Sequence, residues 1–313
     1  MSRITLFFFS SSPISIPLFE ALLQDPAFEV KALVCQPDKE QGRDMEVHEA
    51  EIKKIAQKHG IPVFQPEKLS RDTELLASFK KDPPDFILTF AYGQLLNEDW
   101  LSLPTIAPLN VHPSLLPLYR GPTPIQSAIL NGDHETGLTL IKMGKGMDDG
   151  PIAFQEKVEI PAHSSSVLMF EEFARLAAEK IPGALLNIVK NPAFKFVEQD
   201  EASAVKCFLI ERDHGRIDFK ESAQKILNRF RAYQPWPGLF TSYLGKRIKV
   251  LDLELSDAVL EPGKVSFHGH ELLIGTFDGA LKVKLLQMEG KKALHPEAFI
   301  LGLPDFASAT LPS

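Results

Sequence analysis

The strongest constraint on this chain is a series of short apolar runs in its first half, each followed by a segment of helical spacing. Ile4–Phe9 (ITLFFF) and Asp85–Ala91 (DFILTFA) are too short for buried helices and show no inside–outside alternation. They read as strands covered on both faces, as do Phe28–Cys35, Ile61–Gln65 and Ile106–Val111. Between them lie helical patterns: Leu18–Gln24 with Pro17 in its first turn, Glu49–His59 ended by Gly60, and a helix capped by Ser70 that runs to about Lys81. Strands separated by helices predict an α/β fold with a doubly wound, mostly parallel, Rossmann-like sheet. Ligands of such sheets sit beyond the carboxyl ends of the strands, so the informative loops follow Phe9, Cys35, Ala91 and Val111. Gly137–Lys142 (GLTLIK) is a further strand, and Ser166–Val189 is a long closing helix.

The pattern changes after residue 191. Pro192–Ala204 has weak periodicity and opens a linker over 192–207. From 208 to 313, one helix (Glu221–Arg231) precedes short alternating runs at close spacing, among them RIKVLDLEL and GALKVKLLQM. These predict a small antiparallel, OB-like β-barrel domain. A length of 313 residues suits this division into 1–191 and 208–313.

Two cysteines, Cys35 and Cys207, exclude a disulfide framework and a cysteine-built zinc site. The nine histidines show no H-x-x-x-H spacing, so no metal is expected. No apolar run reaches the ~18–20 residues of a membrane helix. The segment ITLFFFSSSPISIPLF could pass for a leader, but the only positive residue before it is Arg3, and serines with Pro13 interrupt its apolar core. The protein is expected to be cytoplasmic and monomeric.

Asn110–Gly121 reads NVHPSLLPLYRG and begins at a strand end. Asn110 and His112, two residues apart on extended backbone, point the same way. An amide donor beside an imidazole suits an oxyanion; the same pair also fits a capped turn with a satisfied histidine. A third polar group, Asp148, lies in the glycine-flanked GKGMDDG after the later strand. Asn, His and Asp together suit acyl transfer to an amine, with a base to take the proton and donors for the oxyanion. Arg120 fits either a phosphate or backbone contact or a structural ion pair.

NVHPSLLPLYRGPTPIQSAILNGDHETGLTLIKMGKGMDDGPI resembles the signature of the folate-dependent formyltransferases, through SLLPxxRG (Ser114–Gly121) and the later G-M-D-x-G. GRIDF (Gly215–Phe219), NRFRAYQPWPG (Asn228–Gly238) and GKKAL (Gly290–Leu294) resemble the second domain of the methionyl-tRNA formyltransferase family. The resemblance implies 10-formyltetrahydrofolate as donor and the α-amine of methionine on initiator tRNA as acceptor, for translation initiation. It implies Asn110, His112 and Asp148 as the catalytic trio. It lines the folate pocket with Phe90, Ala91, Tyr92 and Gly93, with Ser114, Leu115, Leu116 and Pro117, and with Gly146 and Met147. The chain departs from the family at Ser10-Ser11-Ser12, Pro113 and Leu118, and around Lys39 and Arg43, which Asp44, Glu46, Glu49 and Glu51 surround.

The acceptor is weighed on charge. The chain carries a net −7, yet Lys206–Lys249 holds 10 basic and 4 acidic residues. Such a segment is either a solvated face or a docking surface for phosphates. With Tyr233 and Trp236 interleaved, it favours a nucleic-acid acceptor over the alternative, a formyltransferase acting on a small amine such as an amino-sugar nucleotide. A module that only binds folate or RNA would not need the trio. The expected tRNA contacts are Lys39, Arg43, Lys206, Arg212, Arg216, Arg229, Arg231, Lys246, Arg247 and Lys249.

Overall fold

Continuous apolar runs become the centre of a sheet. β1 (Ile4–Phe9) is buried along almost its whole length, and Pro17 sits in the first turn of the following α1 (Ile16–Gln24). The computed structural model describes residues 3–41 and 46–312, with side chains at 3–38 and 49–312. The chain continues through β2 (Phe28–Val34), a small hairpin of β3 (Lys39–Gln41) and β4 (Glu46–His48), α2 (Glu51–Lys58) and β5 (Val63–Phe64). Then come α3 (Thr73–Phe79), β6 (Phe86–Thr89), α4 (Glu98–Leu101) and β7 (Ala107–His112). α5 (Pro124–Asn131), β8 (Glu135–Lys142), β9 (Ile152–Glu159) and α6 (Ser166–Lys190) follow. The main sheet runs β5-β2-β1-β6-β7-β8-β9, parallel as far as β7 and antiparallel from β8 on.

The chain divides into two compact units. The first takes the residues through Pro124, Glu135–Glu159 and Met169–Cys207; the second takes Ile125–His134, Ile160–Leu168 and everything from Phe208. One face of the first unit's sheet packs Phe7, Phe9, Ile87 and Tyr92 against Phe79 and Trp100. The Phe7 and Phe79 ring centroids lie 4.1 Å apart, and Trp100 Nε1 donates to the Leu69 carbonyl at 3.1 Å. Each such side chain contributes about 1.5–3 kcal/mol by leaving water.

Two local features differ from the sequence reading. Ser70 does not cap α3: it lies in a 3-10 turn, Leu69–Arg71, and the cap is Asp72, whose Oδ1 accepts from Leu75 N at 2.9 Å. A carboxylate there also meets the positive end of the helix. β9, with its half-exposed alternation IAFQEKVE, has no counterpart among the expected strands and forms the sheet's antiparallel edge. The segment after α6 is not regular, but Val197 pairs with Ile152 and Lys206 bridges to Arg120.

The second unit contains α7 (Ala223–Ala232), opened by Ser222, whose hydroxyl accepts from Lys225 N at 3.3 Å. β10 (Leu239–Tyr243), β11 (Lys246–Ser256), β12 (Val265–His268), β13 (Glu271–Gly275), β14 (Ala280–Met288) and β15 (Ala293–Leu294) precede α8 (Pro296–Gly302). They form an antiparallel sheet ordered β10-β11-β14-β13-β12, with β15 on β14. Among the described residues no helix is long and apolar enough to cross a membrane.

Candidate active site

β6 and β7 run side by side with Thr89 opposite Asn110, and β7 ends on His112. Thr89 Oγ1 donates to Asn110 Oδ1 at 2.7 Å. That bond fixes which way the amide faces, because the oxygen must take the hydroxyl proton and the nitrogen is left to donate elsewhere. Asn110 Nδ2 donates to Asp148 Oδ1 at 3.1 Å.

Asp148 is reached from the other side of the sheet switch, in the loop that follows β8. Its backbone has φ 53°, the left-handed region that a non-glycine residue enters only when its surroundings hold it there. Its Oδ2 accepts the Gly121 amide at 3.0 Å and lies 3.5 Å from His112 Nδ1. The Gly121 amide can approach because there is no side chain: φ is +126°, and a Cβ would stand 2.6 Å from the Cys207 carbonyl. One carboxylate thus gathers an amide and an imidazole from β7 and a backbone N–H from the loop after it.

His112 is buried, and its Nε2 lies 3.0 Å from the Tyr119 carbonyl. A carbonyl only accepts, so Nε2 carries a hydrogen and Nδ1 is the nitrogen whose proton state can change. Burial pushes the pKa of His112 down, and the Asp148 carboxylate and Tyr119 carbonyl pull the other way. The resting ring is therefore neutral at neutral pH.

The loop between His112 and Gly121 is braced from the sheet. Ser114 Oγ donates to the Leu118 carbonyl at 2.6 Å, and Thr139 Oγ1 donates to the Ser114 carbonyl at 2.6 Å. Gln155 Nε2 holds the Leu116 carbonyl at 2.9 Å. Arg120 is 5% exposed and its guanidinium meets the Glu201 carboxylate at 2.6 and 3.0 Å, so of its two readings the ion pair is the one formed.

The residues expected around a folate separate by exposure. Phe90, Tyr92, Ser114 and Leu116 are buried, Phe90 and Leu116 at 1% and 3%. Ala91 and Gly93 are exposed on backbone of positive φ, and Gly146 and Met147 are exposed in the Asp148 loop. Leu115 and Pro117 are half-buried. Only Ala91, Gly93, Gly146 and Met147 present their atoms openly to solvent, while the buried members pack within the loops. Among the described residues no three of His, Cys, Asp and Glu are grouped to hold a metal ion.

The expected tRNA contacts also divide. Lys206, Arg212, Arg216, Lys246 and Lys249 are exposed. Arg229 pairs with Glu221 at 2.5 Å and donates to the Arg216 carbonyl at 2.6 Å. Arg231 donates to the carbonyls of Ser164 at 2.7 Å and Pro161 at 3.2 Å. Both are half-buried and hold their own unit together. The Arg247 guanidinium lies 4.1 Å from the Phe240 ring centroid. Tyr233 is buried, whereas Trp236 is 57% exposed. The side chain of Lys39 and the whole of Arg43 lie outside the described residues.

The sequence reading does not find Thr89, the Tyr119 carbonyl or the Gly121 amide. Two of these are backbone groups, which carry no residue-type signal. Gly121 stands in it as a motif residue only, although a glycine closing a polar loop can mark a close backbone approach.

Comparison with known proteins gives the family. The Formyl transferase profile matches residues 2–185, and the Formyl transferase, C-terminal domain profile matches residues 209–304. The methionyl-tRNA formyltransferase of Acidobacterium capsulatum is 36% identical over 301 residues, covering 95% of this chain and 96% of that protein. That of Caldanaerobacter subterraneus is 33% identical over 297 residues, covering 94% and 96%. Among solved structures, the sugar 3N-formyl transferase WlaRD, determined with dTDP and 5-N-formyl-THF, superposes with a TM-score of 0.68 at 17% identity over 93% of this chain and 100% of that one. The methionyl-tRNA formyltransferase of Clostridium thermocellum gives 0.58 at 14% identity over 81% and 94%. At those identities the structures establish a shared fold.

Proposed function

The chain belongs to the formyl transferase family, and we propose that it moves a formyl group from 10-formyltetrahydrofolate to the α-amine of methionine on initiator tRNA. It is an enzyme of the methionyl-tRNA formyltransferase type, with relatives of that name matching along about 95% of its length. The observation that carries the chemistry is the convergence of Asn110, His112 and the Gly121 amide on Asp148.

The α-amine attacks as the free base. A bond forms from its nitrogen to the formyl carbon, and the bond from that carbon to the donor nitrogen breaks. The amine gives up one proton and the leaving nitrogen takes one, so the site must hold a proton between the two events. Nδ1 of His112 is placed for this. It is neutral at rest, its tautomer is set by Tyr119, and the Asp148 carboxylate beside it stabilises the ring once charged. Charge developing on the formyl oxygen is met by the second Nδ2 hydrogen of Asn110 and, after proton uptake, by Nδ1–H. The sequence reading gives the oxyanion to Asn110 and His112 and has Asp148 orient His112 and help accept the amine proton. Here His112 and Asp148 act on the proton as a pair.

The exposed cations Lys206, Arg212, Arg216, Lys246 and Lys249 hold tRNA phosphates, which position a substrate without reading bases. The test is incubation with 10-formyltetrahydrofolate and charged initiator tRNA, followed by mass measurement of the released amino acid. Formylmethionine is expected. Formylation of an amino-sugar nucleotide, with methionyl-tRNA untouched, overturns the reading.

A further inference from the structure

Asp148 is held by groups outside its own loop. The loop is rich in glycine, residues 144–147 are mostly exposed, and the left-handed φ of Asp148 is unfavourable for a side-chain-bearing residue. What fixes it lies in the irregular segment after α6. Gln199 Nε2 donates to the Asp148 carbonyl at 2.9 Å and to the Gly150 carbonyl at 2.7 Å, clamping the backbone on both sides of Asp149. Val197 exchanges backbone hydrogen bonds with Ile152 at 2.7 and 2.9 Å and sets the height of that segment against the loop.

The aim of Gln199 is itself determined. Its Oε1 accepts Arg120 Nε at 3.0 Å. Arginine has no acceptor, so the amide cannot flip without losing that bond and facing donor against donor. Arg120 is buried and its carboxylate partner is Glu201. Its amide donates to the Val205 carbonyl at 2.8 Å, and its carbonyl accepts the Cys207 amide at 2.9 Å. The residue after it is Gly121, whose amide donates to the Asp148 carboxylate. One side-chain amide therefore ties together the two loops that meet at Asp148.

We propose that Gln199 is a positioning residue of the formyl transfer, holding the Asp148 backbone so that its carboxylate meets His112, Asn110 and the Gly121 amide at once. The inference rests on the activity proposed above. Gln199 acts through Asp148 and touches no substrate, so it governs turnover and not substrate binding. A displacement of about 1 Å at such a group costs up to about 10²-fold in rate.

Wild-type enzyme must first formylate methionyl-tRNA; if it does not, the proposed activity is at fault and not the positioning. With that established, Gln199→Glu keeps the packing and the contact to Arg120 and loses both donors to the loop carbonyls. Its kcat should fall about 10–100-fold, with the KM of both substrates within about threefold. The acid limb of its kcat profile should move to lower pH, because His112 loses part of the carboxylate that raises its pKa. Ser203→Ala removes a hydrogen bond to Asp200 in the same segment and should leave kcat and its pH profile unchanged. Gln199→Met, which keeps volume and loses all three bonds, should repeat the split if Gln199→Glu does not fold. A kcat within twofold of wild type, a KM rise that matches the kcat loss, or an unmoved acid limb each overturns the proposal.

Discussion

The two units place polar groups in opposite ways. In the first, a single carboxylate collects Asn110, Gly121 and His112, with Asn110 oriented by a further bond from Thr89 and His112 by the Tyr119 carbonyl. In the second, cations close together in sequence divide between two uses. Arg229 and Arg231 satisfy carbonyls of their own unit, while Arg212, Arg216, Lys246 and Lys249 remain exposed. The first arrangement is suited to a reaction, where sub-ångström geometry sets the rate. The second is suited to a polyanion, where charge without fixed geometry is enough. A net charge read along the chain cannot make that distinction, because it counts a buried arginine on a carbonyl as it counts an exposed lysine.

The largest expected effect lies on the geometric side. Asp148→Asn keeps the size of the side chain and removes the charge that stabilises the His112 imidazolium. Its kcat should fall by about 10²–10³, with the KM for the folate within a few-fold. Steady-state kinetics with both substrates varied will show it, and near-normal turnover would remove Asp148 from the mechanism.

A smaller effect belongs to the charged side. Lys246→Glu with Lys249→Glu reverses two exposed charges on β11. The KM for methionyl-tRNA should rise, and the plot of log affinity against log salt should flatten by about 0.7–0.9 for each phosphate no longer neutralised. Filter binding across a salt series measures it. An unchanged slope would mean that these lysines only solvate the sheet.

Arg231→Ala should behave as a structural variant. It leaves the Ser164 and Pro161 carbonyls without their donor and costs about 1–3 kcal/mol of stability. Thermal unfolding should register the loss, while the salt slope for tRNA stays at the wild-type value. A flattened slope would return Arg231 to the phosphate-binding set.

The smallest effect is a displacement in pH. Burial holds the pKa of His112 below the ordinary histidine range. The reacting form is the neutral ring, so activity is present above that depressed pKa and lost as pH falls through it. The acid limb of kcat should lie below the ordinary range, and lower still in Asp148→Asn, where the raising carboxylate is gone. A limb above the ordinary range would contradict a neutral resting ring.

The site is legible in the sequence where chemistry depends on residue type and spacing. Asn110 and His112 stand two apart on a strand, and Asp148 lies between glycines at a strand end, so all three can be placed without knowing their contacts. The sequence is silent where backbone does the work: nothing in the identity of Tyr119 shows that its carbonyl fixes the tautomer of His112. Phe90 and Leu116 show a different limit, since a motif gives nearness to a pocket but not which side chains turn into the core. Ser70 and Asp72 are both good caps two residues apart, and only the 3-10 turn at Leu69–Arg71 decides between them. The strands of the first unit are readable because burial on both faces leaves an unbroken apolar run, as in ITLFFF and DFILTFA.

If geometry in the first unit sets turnover and charge in the second sets tRNA binding, changes to the two act independently. Asp148→Asn, Lys246→Glu with Lys249→Glu, and all three changes together should be compared for kcat/KM with methionyl-tRNA. The combined loss should equal the sum of the separate losses within about 0.3–0.5 kcal/mol, with Asp148 in kcat and the lysines in KM. A combined loss that departs from the sum by more than about 1 kcal/mol, or a kcat that falls in the lysine variant alone, would contradict that division.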